Sequence, residues 1–188
     1  MEKRIPIRLL GHGSFGVVYL AYHIEYGITA VKLIMKDSND KQEREWESAI
    51  WISNKQNPCP FILKYLQYDY NRNCDIIVTE YANLMTLDII AKQPQIYLPS
   101  YSLRALMKQI LEGTRVIHAS GLIHRDIKCN NILLHTPPGS ERVYAKIADF
   151  GLAKKKDLTD EKHYTAGTLP YLVCTRTLQK TNYLNIKS

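Results

Sequence analysis

The first part of the chain alternates short apolar runs with turn residues, a pattern typical of β-strands. Strands are predicted from Ile5 to Leu10, from Val17 to Tyr22 and from Ile28 to Met35, because β-branched and aromatic side chains are dense there. Two more apolar runs, Ile62 to Tyr68 and Ile76 to Glu80, predict two further strands. This part of the chain is therefore expected to form a sheet.

One helix is predicted between the third and fourth strands. Asp40, with Glu43 three residues later, is typical of a helix start. The side chains expected on its buried face are Trp46, Ala49, Ile50 and Ser53.

Beyond a link at Tyr81–Asn83 the pattern changes to a helical period, with charged side chains on the other faces. The side chains of this helical face are Leu103, Leu106, Met107, Ile110, Leu111, Ile117 and His118. Gly121 is expected to end the helix, and residues 135–142 are expected to form a surface loop. Strands followed by helices predict an α+β protein with two lobes.

Composition limits the possible functions. The chain is 45% hydrophobic but has no apolar run near the ~20 residues of a membrane span, and no secretory signal is expected at its start. The four cysteines are scattered without metal-ligand spacing, so reduced thiols and a cytoplasmic or nuclear location are expected. The net charge of +7 is spread along the chain, and acidic residues follow its one tight cluster, Lys154–Lys156. Nucleic acid is therefore not an expected partner, and neither is a membrane.

Three glycines, Gly11, Gly13 and Gly16, are spaced as in phosphate-binding loops. In a dinucleotide-binding fold such glycines open a helix. Here the β-prone run Val17–Leu20 follows, which favours a β-hairpin lying over the phosphates of a nucleotide. Since glycine has no Cβ, the backbone at these positions can approach phosphate oxygens closely.

Residues 124–131 place an acid, a lysine and an asparagine on one short loop. Asp126, Lys128 and Asn131 have the spacing of a base, a phosphate-binding cation and a metal ligand that act on a single phosphoryl group. The segment Asp149–Gly151, of sequence Asp-Phe-Gly, follows a short apolar strand and adds a second candidate metal ligand. Together these residues predict phosphoryl-transfer chemistry.

With these motifs in this order, the chain resembles the eukaryotic protein kinase family, most closely its Ser/Thr branch. The resemblance runs from about Ile5 to Leu172. It implies a two-lobed α+β fold, in which residues 1–82 form an antiparallel-sheet N-lobe with one main helix. Residues 83–172 would form a mostly helical C-lobe, truncated after the activation segment, and residues 173–188 a divergent tail.

The resemblance also implies that ATP and Mg²⁺ are the cofactors. Asp126, Lys128 and Lys32 would be catalytic, and Asn131 and Asp149 would hold the metal. The residues that it places around ATP are Leu10, Gly11, His12, Gly13, Ser14, Phe15, Gly16, Val18, Ala30, Lys32, Glu45, Thr79, Glu80, Ala82 and Leu133.

Within that set, the resemblance implies specific contacts with the adenine. Val18 and Ala30 would sandwich the ring, and Leu133 would close it from below. Thr79 would be the gatekeeper residue at the back of the pocket. Backbone groups of the next residues, Glu80 and Ala82, would bind the adenine edge.

A carboxylate on the predicted helix should pair with Lys32. Glu43, Glu45 and Glu47 are all candidates. Glu45 is preferred because the residues around it resemble the family pattern. Glu47 is its main rival, because an apolar pair follows it at helical spacing.

Other residues of these motifs have expected supporting roles. His124 is expected to be structural, and Arg125 to receive a phosphorylated activation loop. The candidate phosphorylation sites are Thr159, Tyr164 and Thr165, with Thr165 ranked first. Thr168 resembles the family threonine that lies near the catalytic Asp and Lys and favours Ser/Thr substrates.

The expected function is an ATP-dependent protein kinase that acts on Ser/Thr hydroxyls of proteins. The family pattern calls for Ala-Pro-Glu after Leu172, but this chain has Val173-Cys174-Thr175, and the later helices of the family are not recognisable. We therefore hypothesise a truncated or mispredicted product of a kinase gene. The alternative function is a catalytically impaired ATP-binding or interaction module.

Overall fold

A five-stranded antiparallel sheet forms the N-terminal lobe. The structure is a computed structural model that describes residues 4–13, 16–35, 41–53, 59–70, 74–93, 95 and 98–155. The strands are β1 (Arg4–Gly13), β2 (Gly16–His23), β3 (Gly27–Met35), β4 (Tyr65–Tyr70) and β5 (Cys74–Glu80), in the spatial order β1-β2-β3-β5-β4. All five strands predicted from the apolar runs are therefore observed.

The fourth strand begins later than predicted, because the residues before it bond to the other lobe. The backbone N–H of Leu63 donates to the carbonyl of Ile147 at 2.9 Å, and the Ile147 N–H donates to the carbonyl of Phe61 at 2.9 Å. These bonds join the chain after the helix of the N-lobe to a strand of the C-lobe.

The helix of the N-lobe, α1, spans Lys41–Ser53. The predicted buried face was partly wrong, because Trp46 and Ile50 are only half-buried. Among residues 45–52, whose burial is described, the buried side chains are Glu45, Ser48, Ala49 and Ile52, while the predicted Ser53 side chain lies outside the described ones. The buried stripe is thus rotated by one residue, about 100° on a helix, and it includes a carboxylate.

The C-terminal lobe contains a short helix, a long helix and two pairs of short strands. Their bounds are α2 (Leu87–Ala91), α3 (Ser100–Ala119), β6 (Leu122–Ile123), β7 (Ile132–His135), β8 (Tyr144–Ile147) and β9 (Lys154–Lys155). β6 pairs with β9, and β7 pairs with β8, both antiparallel. The loop between β6 and β7 ends in a 3₁₀ turn at Cys129–Asn131. The two-lobed α+β fold expected from the sequence is therefore observed.

Helix α3 ends as predicted, with Gly121 at a positive φ of 80°. Its fully buried side is narrower than its apolar face, because Leu103, Met107 and Leu111 are each more than 40% exposed. Met107 and Leu111 line an open groove along the helix, which shares no lining residue with the site described below. Among the described helices, none is both long enough and apolar enough to cross a membrane.

The main hydrophobic core extends across both lobes. Ile34 and Ile77 contribute from the sheet, Ile52 from α1, Ile117 from α3 and Phe150 from the chain after β8. This shared core fixes the cleft between the lobes. The lobe boundary after residue 82 stays a prediction, and the predicted tail lies outside the described residues.

Candidate active site

A cleft of about 350 Å³ lies between the sheet and the loop after β6. The predicted site residues that line it are Gly11, His12, Gly16, Val18, Ala30, Lys32, Glu45, Thr79, Asn131, Leu133 and Asp149. The cleft is also lined by residues that the sequence did not indicate: Leu63, Tyr65, Ile77, Asn130 and Ala148. The other predicted nucleotide residues that the structure describes, Leu10, Gly13, Glu80 and Ala82, are not part of its lining, and Ser14 and Phe15 lie outside the described residues.

The glycine segment forms the predicted β-hairpin, in which Gly13 pairs with Gly16. Val18 lies opposite Lys32 and Leu20 lies opposite Ala30 in the β2–β3 register. Since side chains alternate between the two faces of a strand, Val18, Ala30 and Lys32 share the face that lines the cleft. Gly16 has a positive φ of 118°, and a Cβ on it would lie 2.2 Å from the carbonyl oxygen of Leu33. Gly16 is therefore required by the packing of the hairpin on β3.

Lys32 pairs with Glu45 and not with the exposed Glu47. The Lys32 Nζ donates to Glu45 Oε2 at 2.7 Å, and the Tyr65 hydroxyl donates to Glu45 Oε1 at 2.9 Å. Both carboxylate oxygens of Glu45 therefore have a donor, which compensates for its burial at 5% exposure. Tyr65 was missed because no sequence spacing links a strand hydroxyl to a distant carboxylate.

The charges around Lys32 keep it protonated. Burial acts to lower the pKa of Lys32, but the carboxylates of Glu45 and Asp149 outweigh it, so that the pKa is raised above its ordinary value. Burial and the same two carboxylates raise the pKa of Tyr65 well above its usual range. The cleft therefore has a fixed ammonium on β3 and a neutral phenol on β4.

Asp126 is buried and held by the two loop residues predicted to act with it. Its Oδ2 accepts a hydrogen bond from Lys128 Nζ at 2.7 Å and another from Asn131 Nδ2 at 2.9 Å. The same Asn131 nitrogen also donates to the Asp126 carbonyl at 2.9 Å. These bonds fix the direction of the carboxylate, and the structure thus brings the three predicted loop residues together.

His124 and Phe150 form the buried support beneath this loop. Neither side chain is more than 2% exposed, and their rings lie 4.9 Å apart. His124 Nε2 lies 3.0 Å from the Ala148 carbonyl, and His124 Nδ1 accepts the backbone N–H of Asp126 at 3.3 Å. A proton on Nε2 satisfies both bonds, and burial lowers the pKa of His124. These contacts give the imidazole a supporting position under the loop.

Arg125 contacts the chain that follows the Asp-Phe-Gly segment. It has a positive φ of 67°, and its Nε donates to the Leu152 carbonyl at 2.6 Å. Asp149 also has a positive φ, of 64°, at the turn that directs its side chain into the cleft. The predicted phosphorylation sites Thr159, Tyr164 and Thr165, and also Thr168, lie outside the described residues.

Asn131 and Asp149 line one cleft and have oxygen donors of the kind that Mg²⁺ prefers. The amide nitrogen of Asn131 is used by Asp126, which leaves the amide oxygen for a cation. No cluster of three His, Cys, Asp or Glu side chains suited to a metal occurs among the described residues. Two protein ligands fit an ion that takes its remaining ligands from substrate phosphates and water.

The link between the lobes is fixed by the side chain of Glu80. Glu80 Oε1 accepts Lys146 Nζ at 2.9 Å and the backbone N–H of Lys64 at 2.8 Å. The Glu80 backbone N–H donates to the Lys64 carbonyl at 3.0 Å. Glu80 therefore ties the end of β5 to the chain before β4 and to β8, while the neighbouring Thr79 lines the cleft.

A comparison with known families supports these motifs as a set. Residues 5–186 match the family model described as "Protein kinase domain". The match covers most of the chain and continues past Leu172, where the motif-by-motif resemblance ends.

Proposed function

Because the chain belongs to the protein kinase family, we propose that it transfers the γ-phosphoryl group of ATP to Ser and Thr hydroxyls of proteins. Family membership supports ATP binding and phosphoryl transfer to a protein in general. The choice of hydroxyl, the use of Mg²⁺ and the role of each residue are the finer parts of the proposal.

One observation carries the proposal: the buried Asp126 carboxylate is aimed by Lys128 and Asn131, and Asn131 lines the same cleft as the Lys32–Glu45 pair. Burial of a carboxylate costs free energy that its two donors repay only in part, so a buried carboxylate is weak evidence for stability. This favours a functional reason for the position of Asp126. Asp126 and Lys128 do not themselves line this cleft, but Asn131 joins Asp126 to the cleft that contains Lys32, and this supports the proposal.

In the proposed reaction the protein mostly positions the two substrates and neutralises the charge of the phosphate groups. Lys32, held by Glu45, binds the α- and β-phosphates, while the glycine hairpin lies over them. Asp126 orients the substrate hydroxyl and accepts its proton as the oxygen attacks the γ-phosphorus. The bond between the γ-phosphorus and the oxygen that bridges it to the β-phosphate breaks, and ADP leaves. Lys128 neutralises charge that develops on the transferred group. Holding the two reactants in line supplies roughly 7–11 kcal/mol of the barrier.

Asn131 and Asp149 are the residues that would hold Mg²⁺. A bound ion would supply positive charge that neutralises phosphate oxygens during transfer. Asp149 also acts on Lys32 electrostatically and contributes to the raised pKa of that lysine.

The preference for Ser/Thr rests on Lys128. A lysine two residues after the catalytic Asp resembles Ser/Thr kinases, whereas tyrosine kinases usually have other residues there. In the structure Lys128 lies on the Asp126 carboxylate at 2.7 Å, where it can contact a short hydroxyl side chain and the phosphoryl group together.

Transfer of labelled γ-phosphate to matched Ser, Thr and Tyr peptides tests the proposal. We expect label on Ser and Thr, and a loss of about 100-fold or more in Asp126→Asn, because a positioned base contributes at least that factor. MgATP should still raise the melting temperature of the variant. Binding without transfer by the wild type would favour the ATP-binding module instead, and label on Tyr alone would refute the Ser/Thr assignment.

A further inference from the structure

Helix α1 is tied to the C-lobe by Trp51. The indole Nε1 of Trp51 donates to the carbonyl oxygen of Ser120 at 2.8 Å. Ser120 is the C-cap of α3, where the last carbonyls of a helix have no partner within the helix and carry partial negative charge. The indole N–H thus satisfies one of these carbonyls from another lobe.

A lysine from the C-lobe lies over the ring of the same indole. Lys155 Nζ lies 4.6 Å from the ring centroid, within range of a cation–π contact. Lys155 belongs to β9, four residues after Gly151, and β9 pairs with β6. Trp51 is therefore in contact with two C-lobe segments, although its side chain is 47% exposed.

Glu45 and Trp51 lie on one rigid helix, about 9 Å apart along its axis. Glu45 pairs with Lys32 at one end, and Trp51 binds Ser120 and Lys155 at the other. A displacement of α1 that breaks one set of contacts must strain the other.

We propose that Trp51 is a positioning residue, which holds α1 against α3 and β9 so that Glu45 reaches Lys32. The proposal couples the contact between Lys155 and Trp51 to the Lys32–Glu45 pair through α1. This inference deepens the proposed function and rests on it for its kinetic consequence, whereas the structural coupling is independent of catalysis.

The hydrogen bond and the cation–π contact of Trp51 are each weak, so each should adjust the position of α1 only modestly. A net hydrogen bond or an exposed cation–π contact each shifts an equilibrium by about two- to fivefold. Loss of one contact should therefore weaken the position of α1 and leave the fold intact. Lys155 is exposed, so its substitution tests the coupling with little risk to folding.

A spectroscopic experiment tests the coupling without requiring activity. The chain has two tryptophans, so Trp46→Phe leaves Trp51 as the single indole N–H signal in a ¹⁵N-labelled protein. In that background we expect Lys155→Gln to shift the Trp51 indole resonance. Glu45→Gln, at the other end of α1, should shift it as well. Lys154→Gln, which removes the same charge from the neighbouring residue of β9, should shift it much less.

A kinetic experiment tests the consequence for phosphoryl transfer. Trp51→Phe keeps an aromatic ring but removes the donor, and we expect kcat per ATP-binding site to fall about two- to fivefold, with a smaller change in KM for ATP. Trp46→Phe, on the same helix, should leave kcat within experimental error.

The outcomes separate this inference from the proposed function. If the Trp51 indole resonance is unchanged in both Lys155→Gln and Glu45→Gln, the coupling is refuted, whether or not the protein transfers phosphate. Resonance shifts in a protein that transfers no phosphate would support the coupling and refute the function. An unchanged kcat in Trp51→Phe, with active wild type, would refute the positioning role.

Discussion

At the scale of single residues, the site is built from buried polar groups that are satisfied by one another. Glu45 has a donor on each oxygen, and Asp126 has two donors on one oxygen. Such groups are costly when a partner is lost, because the remaining charge stays out of water. Their partners are therefore the most sensitive points of the site.

Tyr65→Phe is expected to destabilise the protein by about 1–3 kcal/mol, because Glu45 Oε1 loses its donor in a buried position. Phenylalanine keeps the ring that packs edge-on against Phe150. Urea unfolding of both proteins measures the difference. Tyr22→Phe, which removes an exposed hydroxyl from the same sheet, is the control and should change the free energy of unfolding by less than about 0.5 kcal/mol. Equal stability of Tyr65→Phe and wild type would argue against the Glu45 contact.

His124 is expected to make the protein less stable in acid. Burial holds its pKa in the folded protein below the ordinary value, so the unfolded chain binds a proton that the folded protein does not. The stability from neutral His124 is complete above the unfolded pKa and is lost as pH falls toward the lowered folded pKa. Unfolding free energy measured from pH 8 to pH 5 should therefore fall less steeply in His124→Gln, from a lower starting value. A parallel slope in the two proteins would contradict this assignment.

At the scale of elements, the strands were predictable and the orientation of α1 was not. Apolar runs reveal strands because alternate side chains enter a core, and they predicted all five strands, although Ile5, Ile7 and Leu9 of β1 are each at least 50% exposed. The buried face of α1 contains Glu45 and Ser48, which a hydrophobic pattern assigns to the surface. Glu45 is buried because Lys32 and Tyr65 meet it from β3 and β4. The helix is therefore rotated by contacts distant in sequence.

The glycine hairpin also shows what a sequence pattern cannot predict. Its glycines are equivalent in the motif, but Gly16 is crowded by the Leu33 backbone and Gly11 is not. We expect Gly16→Ala to lower stability clearly, because its Cβ would collide with the Leu33 backbone and its φ is positive. Gly11→Ala should leave stability within about 0.5 kcal/mol, since no atom lies within 4 Å of a Cβ there. If the hairpin covers phosphates, Gly11→Ala should still raise KM for ATP. Thermal unfolding and ATP kinetics on both variants check this, and equal destabilisation by the two would contradict it.

At the scale of the whole molecule, the two lobes share one core, and specific polar contacts fix their relation. Motif spacing predicted that Lys32, Asp126 and Asp149 would act together, because each motif implies a ligand that the others also touch. Motif spacing did not predict the hydrogen bond between Trp51 and Ser120 or the one between Lys146 and Glu80, since neither pair belongs to a ligand-binding motif or a repeat. Such pairs depend on how the lobes pack.

Lys146 is the contact through which the C-lobe is expected to hold the link between the lobes. Its side chain is 9% exposed and donates both to Glu80 and to the Pro60 carbonyl at 3.1 Å. Lys146→Met keeps the apolar stem and removes three donors, so we expect a loss of about 1–3 kcal/mol in the free energy of unfolding. Lys92→Met breaks a lysine–carboxylate pair of similar length in which the lysine is 73% exposed, and it should lower the free energy of unfolding clearly less than Lys146→Met does.

A double-mutant cycle with Glu80→Gln separates this pair from its surroundings. If Lys146 and Glu80 act on each other, the two substitutions together should cost less than the sum of the single ones, by about 0.5–3 kcal/mol. Backbone groups of Glu80 are proposed to bind the adenine edge, so Lys146→Met should raise KM for ATP, while kcat, which the proposal assigns to Asp126, should change less. Strict additivity in stability would show that Lys146 serves the Pro60 carbonyl instead. A fall in kcat without a change in KM would mean that the interlobe contact acts on the catalytic loop and not on the nucleotide.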